Sequence, residues 1–351
     1  MNKINIYIVM TPFQMLSAIE AKEYHKDFDS LLVIKYTDNK KNNKLIENLL
    51  ILSNWDKIIR ISYKLSIIED FKILYQIGQL KKREQIIYRI FIGCPFDRNS
   101  QWFCEKLNIK ECFMLDDGIR TLDHQKRVFS KEEYFQRDDT LDKTIEKNLF
   151  SKSKNLLKLF AIEYIFRLKE RNTIKYNLFT CFDLKAHKKQ KVIQHKFSYI
   201  KNIALEINQN KNTVYFYGSP ISEVNIVSFT SEMNMIKQVN HFYLKKGKKL
   251  FYIPHRTDSN EKIVHIKKLG IKIKRFNNIA EVEPIINKTL PSDIASFIST
   301  TLLTLGKIYQ YNSIISFKIP ESLIERNDKK VAINDLYTEY ENNIKVIPLN
   351  I

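Results

Sequence analysis

Apolar residues are distributed along this chain in two kinds of run. Short, nearly continuous stretches occur at Ile4–Met10, Ser30–Tyr36, Lys57–Ser62, Gln85–Gly93, Glu111–Leu115 and Asn177–Leu184. Longer segments with helical spacing separate them. Strands buried on both faces of a parallel sheet show this loss of strict alternation. The first unit reads as a strand (INIYIVM), a turn (TPFQ) and an amphipathic helix (MLSAIEAKEYHKDF). A second series starts near residue 213 with TVYFYGSP, KLFYIPHR, IKIKRF, IASFIST and SIISFKI, each ending in a turn or polar residue.

Two successive βα series predict an α/β chain of two Rossmann-like domains facing across a cleft. The expected boundary separates residues 1–195 from 196–351. The basic segment LKAHKKQKVIQHK, Leu184–Lys196, has no strand character and serves as the expected linker at the end of the first domain. A length of 351 residues accommodates two such domains, each with its own core. No internal repeat or low-complexity stretch interrupts the pattern.

Composition narrows the choice of partners. With 44% hydrophobic and 12% aromatic residues, the chain is a folded globular protein. The formal charge of +19 favours an anionic partner: nucleic acid, anionic lipid or an anionic substrate. The abundance of Ile, Asn and Lys is equally the signature of a low-GC genome, which yields a Lys-rich surface without a specific partner. Cys94, Cys104, Cys112 and Cys181 form no CxxC pair, which excludes a zinc ribbon and a thioredoxin motif and predicts reduced core thiols in the cytosol. The N-terminus does not read as a signal peptide, and no apolar run is long enough to span a bilayer. The segment Ser151–Lys175 mixes Leu, Phe, Ile and Tyr with Lys and Arg. It reads either as a helix on an anionic membrane surface or as a helix with one core face and one wet face.

In open α/β sheets ligands bind beyond the carboxyl ends of the strands. Four polar clusters sit there: Asp116–Asp117–Gly118, Gly218–Ser219–Pro220 with Glu223, Pro254–His255–Arg256, and Ser299–Thr300–Thr301. The sparse glycines form no GxGxxG or P-loop pattern, so dinucleotide and P-loop readings fail. His255 is able to hydrogen-bond a phosphate and protonate a leaving group, or is a histidine in a surface turn. The hydroxyls of Ser299–Thr301 open a helix, where they cap it, bind phosphate, or both. Adjacent Asp116 and Asp117 provide a general base or simple Asp-Gly turn chemistry, and Glu223 is a rival base or a residue favoured by a helix dipole. Asp27-Phe28-Asp29 has the form of a DxD metal motif but precedes its strand, at the wrong end of the sheet, and reads as a solvated loop.

In this order the four clusters resemble the bacterial sialyltransferases of glycosyltransferase family 52, over most of the chain from NIYIVMTPFQMLSAIEA to STTLLTL. The resemblance implies a GT-B fold, with acceptor bound by the first domain and CMP-sialic acid by the second. It implies an inverting, metal-independent transfer without any cofactor, placing sialic acid on a terminal galactose of a bacterial surface glycan, α-2,3 linkage expected. Carried over residue by residue, His255 is the general acid and phosphate ligand. Gly218, Ser219, Pro254, Glu283, Ser299 and Thr300 line the donor, and Thr11, Gln14, Asp116 and Gly118 lie on the acceptor side. Two departures stand out: Arg256 follows His255 where family 52 usually has proline, and Ile221 replaces an aspartate proposed as base. The base therefore lies between Asp117 and Glu223, with Asp117 favoured. Expected partners are the nucleotide sugar, a glycan or glycolipid acceptor and the inner face of the cell membrane, with a homodimer possible and nucleic acid excluded. The rivals are a GT-B transferase using another nucleotide sugar, such as a glucosyl donor, and a basic nucleic-acid-binding protein.

Overall fold

The first strand, β1 (Lys3–Val9), shows why its sequence does not alternate between apolar and polar: both faces are covered. Ile4, Ile6 and Ile8 enter one hydrophobic cluster together with Leu31, Val33, Ile90 and Met114. On the opposite face Tyr7 stacks on Phe91, ring centroids 4.7 Å apart, and Phe91 stacks on Phe113 at 5.2 Å. These rings belong to residues paired in register across neighbouring strands. Burying each such side chain contributes about 1.5–3 kcal/mol.

The computed structural model describes residues 3–62, 67–82, 86–132 and 175–349, together with Tyr134, Ala161 and Tyr164. The chain forms two compact units, Met1–His195 and Lys196–Ile351. In unit 1, β2 (Asp29–Tyr36), β3 (Lys57–Ser62), β4 (Ile86–Ile92), β5 (Ile109–Met114), β6 (Asn177–Thr180) and β7 (Val192–Gln194) join β1 in a parallel sheet ordered β3-β2-β1-β4-β5-β6-β7. In unit 2, β8 (Asn208–Tyr217), β9 (Lys249–Ile253), β10 (Lys272–Ile273), β11 (Thr289–Ser296), β12 (Ser313–Lys318) and β13 (Lys345–Pro348) form a second parallel sheet, ordered β10-β9-β8-β11-β12-β13. Both follow the doubly wound order, in which the direction of winding reverses beside the first strand and opens a crevice there. Val214, Phe216, Leu250, Tyr252 and Phe317 contribute to the core of unit 2.

Several boundaries differ from the sequence reading. The stretch TPFQ is not a turn. Thr11 caps a helix that begins at Pro12 and runs to Tyr24, with the Gln14 amide donating to the Thr11 hydroxyl at 3.2 Å. A hydroxyl N-cap followed by proline at the first helical position is a helix start. The supposed linker Leu184–Lys196 contains β7, which joins the first sheet, and all of it but Lys196 lies within the first unit. β13 escapes the sequence reading because its four residues, KVIP, are too few to stand out. IKIKRF contributes only the two-residue β10. The segment Ser151–Lys175 lies, apart from Ala161, Tyr164 and Lys175, outside the described residues. Among the described residues no helix is long and apolar enough to cross a membrane.

Candidate active site

At the carboxyl edge of the first sheet, β5 ends in Met114, and beyond Leu115 the two aspartates part company. Asp116 is fully buried. One of its oxygens accepts from the Thr180 hydroxyl at 2.6 Å; the other accepts from the Cys181 amide at 2.7 Å and faces His195 Nε2 at 3.2 Å. Its own amide donates to Ser17 Oγ at 3.2 Å. Asp116 thus ties the end of β5 to β6, to β7 and to the first helix. A carboxylate so engaged and enclosed is a structural group, which corrects the expectation that it faces acceptor. Asp116, Cys181 and His195 also place one ligand atom each within 4.8 Å of one another. The carboxylate oxygens there are already taken up by the hydroxyl, amide and imidazole.

Asp117 is placed differently. Its Oδ1 accepts from the Thr11 hydroxyl at 3.2 Å, and its amide donates to Thr121 Oγ1 at 2.8 Å. Its Oδ2 is buried and accepts no hydrogen bond, with Arg120 Nη1 3.8 Å away. Burial pushes the carboxyl up to about 6, against the opposing pull of Arg120, Thr11 and Gln14. A carboxyl raised in this way, with one oxygen facing Arg120 but taken up by no hydrogen bond, is equipped to take a proton. Gly118 bends the chain away with φ of 63° and ψ of −135°, a conformation suited to glycine. Gln14 accepts from the Met10 amide at 2.8 Å and crosses over the end of β4. That crossing requires Gly93, whose added Cβ would lie 2.2 Å from Gln14 Oε1. Thr11, Gln14, Asp117 and Gly118 therefore meet at the carboxyl ends of the strands.

In unit 2, three of the predicted clusters follow β8, β9 and β11, which are consecutive in the sheet. Strands lie about 4.8 Å apart, so the loops are neighbours. Hydrogen bonds join them. Ser219, in the loop after β8, donates to the Ile298 carbonyl after β11 at 2.5 Å. Lys262, wholly buried, donates to the Ser219 carbonyl at 2.9 Å and to Asp258 Oδ1, after β9, at 3.1 Å. Gly218 has no room for a side chain, because a Cβ would meet the Tyr252 hydroxyl at 2.3 Å and Asp258 Oδ2 at 2.8 Å.

His255 follows Pro254 at the end of β9 and is half-buried. The Thr257 amide donates to its Nδ1 at 3.3 Å, and the Thr257 hydroxyl lies 2.8 Å from the same nitrogen. An Nδ1 that accepts leaves Nε2 to carry the proton of the neutral ring. Burial lowers the imidazole from its ordinary value. After β11, Ser299 Oγ accepts from the Thr301 amide at 3.3 Å, and Thr300 caps the helix Thr301–Ile308 without a side-chain bond. The Ser299 amide donates to the Tyr340 hydroxyl at 2.7 Å.

Two predicted residues are occupied elsewhere. Glu223 accepts from the Ser259 amide at 3.0 Å and from Lys262 Nζ at 3.2 Å. Its carboxyl lies below its ordinary value, held there by Ser259 and Lys262 against its partial burial. An ion-paired carboxylate of lowered basicity is a poor base, so the geometry favours Asp117. Glu283 spends both oxygens on Asn278 and Asn287, at 2.7–3.2 Å, within its own short helix and the turn that precedes it. Two residues earlier, buried Glu281 accepts from the Thr304 hydroxyl at 2.6 Å and is raised above its ordinary value by burial. Sequence reasoning passed over Gly93, Asp258 and Lys262. A lone glycine after an apolar run and an Asp-x-x-x-Lys spacing at a helix start were their only signals. Asp27, of the DxD stretch, pairs with Arg89 at 3.2 Å ahead of β2.

Comparison with known proteins adds identity to this geometry. Residues 5–318 match the family described as alpha-2,8-polysialyltransferase (POLYST). No curated protein matches the chain. Among solved structures, the chain is similar to the alpha/beta-galactoside alpha-2,3-sialyltransferase of the luminous marine bacterium Photobacterium phosphoreum. The identity is 11%, the TM-score 0.50, and the match covers 99% of this chain and 98% of that one. The GT-B domain of the Photobacterium damselae sialyltransferase aligns at 11% identity and a TM-score of 0.47, covering 99% of this chain and 100% of that one. The first of these likenesses shows the fold, GT-B.

Proposed function

Because the chain belongs to the alpha-2,8-polysialyltransferase family, we propose that it transfers sialic acid from CMP-sialic acid to a glycan already ending in sialic acid, by single displacement with inversion. Sialyl transfer is common to that family and to the family 52 enzymes that the motifs resemble. Linkage is where they part. The description of the matching family favours α-2,8 transfer to a sialylated acceptor over the α-2,3 transfer to galactose expected from the motifs.

The observation that carries the chemistry is Asp117 Oδ2, which faces Arg120 but is taken up by no hydrogen bond, on a carboxyl raised to about 6. In this reading Asp117 takes the proton of the acceptor hydroxyl as that oxygen bonds to the anomeric carbon. His255 donates from Nε2 to the departing CMP phosphate, and Ser299 and Thr300 offer hydroxyls at a helix start. Unit 1 then serves the acceptor and unit 2 the donor. Protein donors suffice to stabilise a leaving group with one phosphate, so no metal is assigned. A chain of this charge suits an anionic donor, an anionic acceptor and contact with the inner face of the cell membrane.

The test incubates the purified chain with CMP-sialic acid and two acceptors, one ending in galactose and one in sialic acid. CMP release with elongation of the sialylated acceptor is expected. Elongation of the galactose acceptor alone restores the α-2,3 reading. Turnover of a UDP-sugar with none of CMP-sialic acid overturns the donor assignment.

A further inference from the structure

The strongest cluster of buried ionisable groups outside the proposed chemistry lies directly beneath His255. Lys262 is enclosed with its side chain wholly buried, and three carboxylates converge on it: Glu223 at 3.2 Å, Glu232 at 2.5 Å and Asp258 at 3.1 Å. A buried cation costs several kcal/mol to desolvate unless it is paired and hydrogen-bonded. Here it is, and the pairing joins the loop after β8 to the loop after β9. Asp258 is the hinge pin of the arrangement. Its side chain is only 1% exposed. Its Oδ2 accepts from the His255 amide at 2.8 Å and from the Tyr252 hydroxyl at 2.9 Å, while its own amide donates to the His255 carbonyl at 3.1 Å. The turn from His255 to Asp258 is thereby closed twice, once through the side chain and once through the backbone. Thr257, within that turn, faces the ring itself through its amide and hydroxyl.

We propose that Asp258 and Thr257 are positioning residues for His255: Asp258, clamped by Lys262, fixes the turn that carries the imidazole, and Thr257 fixes the ring and the nitrogen that bears its proton. The inference rests on the reading of His255 as ligand and acid for the donor phosphate. It assigns the acidic cluster to aiming that histidine and accounts for Glu223 as part of the clamp. The charged groups facing the ring are Asp258 and Glu223, which favour the imidazolium, and Arg256 and Lys262, which oppose it. Removing the Asp258 charge while keeping its shape therefore moves the titration of His255 to lower pH.

The test compares the full chain with its Asp258→Asn and Thr257→Val variants, labelled at histidine and followed by NMR as pH is varied. The His255 signals are assigned by their loss in His255→Gln. The wild-type ring is expected as the Nε2–H tautomer. Asp258→Asn is expected to titrate at lower pH, and Thr257→Val to mix the two tautomers. In CMP-sialic acid hydrolysis, kcat for each variant falls by about tenfold or more, with a smaller change in KM. Thr257 is exposed, so its variant folds even where Asp258→Asn does not. An unchanged His255 titration and tautomer in the folded variants overturns the inference, whatever the activity. Shifted His255 signals in a chain that never hydrolyses CMP-sialic acid uphold the positioning and overturn the donor reading instead.

Discussion

A carboxyl held up by burial imposes opposite demands on catalysis and on stability, and Asp117 shows both. Its acid form is favoured in the folded chain, where burial lifts the carboxyl from 3.8 to about 6. The folded state therefore binds more protons than the unfolded one between those values, and stability falls as pH rises through about 6. Above that pH the ionised group costs up to about 3 kcal/mol. Asp117→Asn should raise the thermal midpoint at pH 8 and leave it nearly unchanged at pH 4. The same change should reduce kcat by about a hundredfold or more, since a general base contributes on that order. In the wild type, kcat/KM should fall as pH drops through about 6. Glu223→Gln is the contrast. It removes one partner of the buried lysine that clamps the His255 turn, so it should lower the thermal midpoint and reduce kcat by no more than about tenfold. Equal loss of kcat in the two variants would return the base to Glu223. That the pair Asp116–Asp117 follows a strand end was legible in sequence; that Asp116 turns inward was not. The partners that turn Asp116 inward, Thr180, Cys181 and His195, lie at least 64 residues away along the chain.

At the scale of elements, the strands were legible because burial on both faces writes long apolar runs. β3, read as Lys57–Ser62, is found at those residues. Short strands among lysines, such as β7, carry too few apolar positions to register. The first helix was cut short for another reason: the Thr-Pro start was taken for a turn signal, although proline at the first helical position costs no hydrogen bond. Loop contents divide in the same way. Gly218 was legible as part of a turn, but the reason for it lies in Tyr252 and Asp258. Gly218→Ala should push that pair away and disturb His255, lowering kcat with CMP-sialic acid by about tenfold and stability by about 1–3 kcal/mol. A chemical-denaturation curve read together with the rate would show both losses. A fully active, fully stable variant would mean that the Tyr252–Asp258 pair yields freely.

At the scale of the whole chain, a GT-B glycosyltransferase is built here from two units, each with its own sheet and its own apolar core. The division into two βα series was legible from the order of runs alone. The family was legible to the level of a sialyltransferase, the matching family being the polysialyltransferases rather than family 52. The linkage was not, because short motifs on a shared fold do not record which hydroxyl the acceptor presents. The cores predict that residues 196–351, produced alone, fold cooperatively and bind CMP while transferring nothing. A fragment that stays unfolded at neutral pH would refute this. Acid should act first on unit 1. Burial holds His25 and His124 down to about 4, so their contribution to stability is full above the unfolded value of 6.5 and is lost as pH falls towards 4. At His124 this costs about 2 kcal/mol by pH 5, and at the more exposed His25 less. Neither ring nitrogen of buried His124 has a hydrogen-bond partner. His124→Leu should therefore gain thermal stability at pH 5 relative to wild type, with a smaller gain at pH 8.

The bond from the Ser299 amide to Tyr340 links the helix Asn327–Glu341 to the loop after β11. Deletions that trim the chain from its far end as far as Tyr340 would let that loop slacken although every motif residue stayed in place. Such shortened proteins would show weakened nucleotide binding, and the fault would be blamed on residues that had never been touched.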